Sequence, residues 1–92
     1  MPYREFPANP EPEPTELGGR QVILFVRIPA REGELPNLGL AIGREGNRPD
    51  DRAYVVCDAA FRSGKWTAYS GMYDLDWDGA KAELARRIRV SM

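Results

Sequence analysis

The stretch Arg20-Gln21-Val22-Ile23-Leu24-Phe25-Val26-Arg27-Ile28 decides how this chain folds. Side chains alternate across an extended strand, so Val22, Leu24, Val26 and Ile28 share one side and Ile23 and Phe25 the other. Both sides are apolar. A sheet built on this strand must be kept dry on both faces.

Three more strands follow. Leu38-Gly39-Leu40-Ala41-Ile42 places Leu38, Leu40 and Ile42 on one face and the small residues Gly39, Ala41 and Gly43 on the other. Ala53 to Ala59 and Lys65 to Tyr73 form the third and fourth, joined through a glycine-containing hairpin turn at Phe61-Arg62-Ser63-Gly64. Pro29 ends the first strand by removing a ladder donor, and residues 29–37 form a polar connection. Residues 43–52 read as a charged loop rich in turn formers. It contains no Gly-Lys-Ser/Thr, so it is not a phosphate-binding loop.

A helix is predicted from about Asp76, with Asp76 as N-cap. Asp74, Asp76 and Asp78 put negative charge at its N-terminus, and Arg86, Arg87 and Arg89 put positive charge near its C-terminus. Trp77, Ala80, Leu84 and Ile88 make one apolar stripe. The order ββββα with short connections predicts an α+β fold: a four-stranded antiparallel sheet with one C-terminal helix packed on one face. Residues 1–19 carry Pro2, Pro7, Pro10, Pro12 and Pro14 and end in Gly18-Gly19, which predicts an extended or disordered arm ahead of a single domain over residues 20–92. Tyr3, Phe6 and Leu17 are the apolar residues able to pin that arm to the sheet.

One helix covers one face. Val22, Leu24 and Val26, with Val55, Cys57, Trp66, Ala68 and Met72, are expected beneath it. Ile23, Phe25, Tyr54, Val56, Thr67, Tyr69 and Tyr73 are then left on the far face as an apolar-aromatic patch. A patch of that size points to cover by the arm, by a second copy or by another protein.

Composition bounds the chemistry. The chain carries 13 basic and 14 acidic residues, so no global field draws it to nucleic acid or to an anionic membrane. Cys57 is the single cysteine, so no internal disulfide forms. No stretch reads as a signal peptide or approaches the roughly 20 apolar residues of a bilayer span, and a cytoplasmic home is expected. The chain has no histidine, which removes Ser-His and Cys-His nucleophile pairs and most zinc sites.

Asp74-Leu75-Asp76-Trp77-Asp78-Gly79 matches the opening of an EF-hand loop, and Asp74, Asp76 and Asp78 are its candidate metal ligands. The second half departs from that pattern: Ala85 stands where a bidentate Glu belongs and Lys81 where an apolar residue belongs. Helix capping is the competing role of these aspartates. Arg86, Arg87 and Arg89 are candidate phosphate contacts for a nucleic acid, with dipole compensation as the competing role. Trp66 and Tyr69 beside Lys65 match a base-stacking sheet in residue type only, without an RNP-like string. Cys57, mid-strand, reads as a small core hydrophobe.

The expected function is therefore a small, non-catalytic protein-protein interaction module, an inhibitor or regulator of a larger protein. It would act through Ile23, Phe25, Tyr54, Val56, Tyr69 and Tyr73 or through a sheet edge, with homodimerisation compatible. Nucleic-acid binding and metal-dependent catalysis stand behind it. No cofactor is implied.

Overall fold

The computed structural model describes residues 13–28 and 38–91. It is α+β, an antiparallel sheet with a C-terminal helix. The sheet has five strands in sequential order: β1 (Glu16–Leu17), β2 (Arg20–Arg27), β3 (Leu38–Arg44), β4 (Tyr54–Arg62) and β5 (Lys65–Leu75). A 3-10 turn at Asp50–Arg52 precedes β4, and α1 runs Trp77–Ser91.

The fifth strand corrects the expected count of four. It arises from the segment read as arm, because Gly18 and Gly19 both take positive φ. That conformation is the tight hairpin turn whose twist matches the flanking strands, and glycine adopts it without steric cost. Glu16 and Leu17 are thereby returned onto Gln21 and Arg20. Leu17 is buried. Tyr3 and Phe6 lie outside the described residues. Ser63-Gly64 makes the equivalent turn between β4 and β5, so those strands run longer than predicted.

Two apolar clusters form, one on each face. On the helix side Leu40, Ile42 and Val56 pack with Ala80 and Leu84 of α1, flanked by Val26, Tyr54, Leu75 and Ile88. The far face gathers Leu17, Ala41, Cys57 and Ala59, with Val22, Phe25 and Trp66 against them. The sheet curls into a half-barrel around this second cluster. Small residues make the curl possible: Gly39, Ala41 and Gly43 of β3 lie beside Ala59, Cys57 and Val55 of β4. The Phe25 ring rests directly on Gly39, so close that a methyl group there would collide with it. Phe25 and Phe61 both meet Trp66 edge-on, at 5.0 and 5.5 Å between ring centroids.

This arrangement reverses the expected facing of β4. Tyr54 and Val56 lie under α1, where Tyr54 meets Trp77 at 5.3 Å. Cys57 lies on the far face, and Val55 lines the cleft there. Trp66 is also on the far face, whereas Met72 pairs with Val56 and shares the helix side, as expected. On β2, Val26 stays with the helix as expected, but a bulge between Val22 and Leu24 sends Val22 to the far face. β5 has two further irregularities, and Ser70 and Asp74 take positive φ. Each bulge moves the two-residue alternation out of phase.

Candidate functional site

The predicted far-face patch does not exist as one surface. Val56 is fully buried beneath α1 and Tyr54 packs at its edge. Phe25 is half-buried in the concave cluster. Ile23 is exposed on β2 next to the bulge. Tyr69 and Tyr73 remain exposed on β5, on opposite sides of it. Tyr69 pairs with Asp58, which contacts α1, whereas Tyr73 bends back over Gly71 at the mouth of the concave face. The physical reason is the curl. Among the described residues, the sheet's own fold brings the far-face residues Leu17, Ala41, Cys57 and Ala59 into one buried cluster.

Exposed apolar surface survives elsewhere. Strands lie about 4.8 Å apart, so five of them span roughly 20 Å, while a helix with its side chains is about 10 Å wide. α1 sits on β3 and β4 and leaves β5 beside it only partly covered. Tyr69 and Met72 stand there, 47% and 40% exposed. Val90, on the last turn of α1, is 77% exposed. It lines a groove between helix and strand with Ser70, Asp58 and Arg87. Among the described residues β5 is an edge strand, and its stretch Trp66 to Tyr73 carries neither charge nor proline. Edges usually carry such residues to prevent pairing. Here the irregularities at Ser70 and Asp74 break the edge instead.

The arginine cluster is organised by a residue outside the predicted set. Glu83 accepts from Arg86 Nε and Nη2 at 3.0 and 2.6 Å and from Arg87 Nε at 2.7 Å. Arg87 also donates to Asp58 on β4 at 3.0 Å, tying α1 to the sheet. Hydrogen bonds from Arg86 and then Arg87 hold the Glu83 carboxyl down at about 2. Two of the three arginines thus face carboxylates, and Arg89 is exposed. The sequence signal for this network is the spacing of three and four residues from Glu83 to Arg86 and Arg87.

The three aspartates of the EF-hand-like stretch diverge. Asp74 meets Arg48 at 2.6 Å, and Asp78 meets Lys81 at 3.4 Å. Asp76 accepts the Gly79 N–H at 2.6 Å, the geometry of an N-cap. Among the described residues, no group of three or more acidic, cysteine or histidine side chains is placed to hold a metal ion.

A cleft of about 140 Å³ opens on the concave face, lined by Leu17, Val22, Cys57, Ala68, Arg20 and Tyr73 among others. Its floor is apolar, and Arg20 and Tyr73 meet at its mouth. Burial pushes the Cys57 thiol up, so the sulfur in this cleft is a weak nucleophile. No feature of the sequence taken alone joins Leu17, Cys57 and Tyr73, because the curl brings them together. Comparison with protein families, with curated proteins and with solved structures returns no match. No helix among the described residues is long and apolar enough to cross a membrane.

Proposed function

We propose that this protein is a small, non-catalytic protein-binding module that docks on the flank between β5 and the end of α1. One observation carries the reading: Tyr69, Met72 and Val90 are large apolar side chains left exposed around that flank. Tyrosine and methionine suit such a role. Tyr brings area with a polar tip, and Met adapts to irregular partners. Asp58 and Arg87 beside them supply a polar rim. This flank replaces the mixed patch that includes Phe25, Tyr54 and Val56, which are occupied inside the fold. Homodimerisation through the flank and regulation of a larger protein are two forms of the same reading.

The test compares wild type with Tyr69→Glu, Met72→Glu and the control Arg52→Glu, which lies in the exposed 3-10 turn. Each protein is cross-linked in an extract of the native host, captured and analysed by mass spectrometry, and its solution mass is measured by light scattering. A partner, or a dimer mass, that is kept by wild type and the control but lost by both flank variants is the expected outcome. An identical set of partners and an identical monomer mass for all four proteins would refute the proposal.

A further inference from the structure

We infer that Arg20 and Tyr73 form a latch across the open seam of the half-barrel, and that opening of this latch governs solvent access to the concave cleft. The inference stands apart from docking on the β5 flank. Among the described residues, the hydrogen-bonded sheet runs from β1 to β5 without closing, and no strand ladder joins its two ends. Side chains bridge it instead. The Arg20 guanidinium stacks over the Tyr73 ring, 5.0 Å from its centroid. Arg20 is aimed by Glu45, which accepts from its Nε at 2.9 Å, and by the Gly18 carbonyl, which accepts from Nη1 at 3.3 Å.

Tyr73 holds its pose because Gly71 has no side chain. A Cβ at position 71 would come within 2.9 Å of the ring. The bulges on either side of Met72 turn Tyr73 toward the seam rather than along the regular strand. Behind the pair lies the cleft, with Cys57 only 7% exposed.

Each tie in the latch is of a weak kind. The cation–π contact is at the surface, and the Arg20–Glu45 pair is partly hydrated on both sides. The ladder between β3 and β4 is continuous and largely buried by comparison. The seam therefore opens locally while the rest of the sheet stays paired. Cys57 is the chain's one thiol and reports that opening directly.

The experiment follows alkylation of Cys57 by iodoacetamide, read by mass spectrometry at fixed pH and across low urea concentrations. Tyr73→Ala removes the ring. Tyr73→Phe keeps it, and Glu45→Gln leaves Tyr73 in place but loosens Arg20. Losing a surface cation–π contact raises the open population about two- to fivefold. Tyr73→Ala and Glu45→Gln are expected to speed labelling by that factor, with rates flat in low urea, while Tyr73→Phe labels like wild type. Glu45→Gln labelling at the wild-type rate would make Tyr73 a passive cover and overturn the latch. Rates that climb with urea in step with global unfolding would overturn it too. Glu45→Gln decides the matter even if Tyr73→Ala fails to fold.

Discussion

Replacing Gly39 by alanine tests the account of the curl most directly. The Phe25 ring lies on Gly39, and an added methyl would sit 2.9 Å from its Cε2 and nearer still to Cζ. Backbone occupies one side of that contact, so the ring must move. Its other side is set by the edge contact with Trp66 at 5.0 Å. Overpacking of this kind costs about 1–3 kcal/mol, and a disturbed aromatic pair accounts for about 0.5–1.5 kcal/mol of that. The lower chain entropy of unfolded alanine returns about 0.4–1 kcal/mol. A net loss of about 1–2 kcal/mol lowers the melting temperature of a domain this size by roughly 5–15 °C. Circular dichroism melts and urea titrations of wild type, Gly39→Ala, Phe25→Leu and the double variant supply a complete cycle. If the collision is the cause, Phe25→Leu costs less in the alanine background than alone, with a coupling of about 1 kcal/mol. Simple additivity, or a Gly39→Ala protein as stable as wild type, would refute the claim that ring-on-glycine packing shapes the concave face.

Glu83 carries a pH dependence of known sign. Its folded value lies near 2 against 4.5 unpaired, so its contribution is complete above about 4.5 and vanishes as pH falls through about 2. The full difference corresponds to about 3 kcal/mol, and hydration of the half-exposed Arg86 brings it to about 1–2 kcal/mol. Urea titrations from pH 6 to pH 2 should show wild type converging on Glu83→Gln at the acid end, and a constant gap between them would contradict this assignment. Asp76→Ala should lose the bond to the Gly79 N–H and cost about 1 kcal/mol, read as a lower melting temperature, whereas Asp76→Asn should keep most of it. Equal melts for alanine and wild type would remove the cap from the account of α1.

Much of the scaffold was legible in the residues because local chemistry decided it. Ser63-Gly64 turning the hairpin, Asp76 capping a helix and the Ala80-Leu84-Ile88 stripe are all short-range signals. The strand β1 was also within reach, since Gly18-Gly19 is a two-residue hairpin signal, but proline content ahead of it pointed to an arm. The facing of β4 was not legible. Tyr54 and Val56 alternate with Val55 and Cys57, so both faces are apolar and the pattern has no polarity to choose between them. The bulges in β2 and β5 then changed the phase of alternation, and the sequence marks neither one uniquely. The candidate docking residues divided along the same line: Ile23, Tyr69 and Tyr73 stayed exposed, while Phe25, Tyr54 and Val56 went to packing.

By itself, the sequence determined that a doubly apolar strand would need cover on both faces and that one amphipathic helix would supply half of it. Tertiary structure decided the other half. The sheet bent over its small residues, laid Phe25 and Trp66 across the hollow and drew Leu17 and Tyr73 toward each other. Curvature is a sum of many contacts between residues far apart in the chain, and no window of sequence contains that sum. Which apolar side chains remained at the surface was therefore settled only when the sheet had bent.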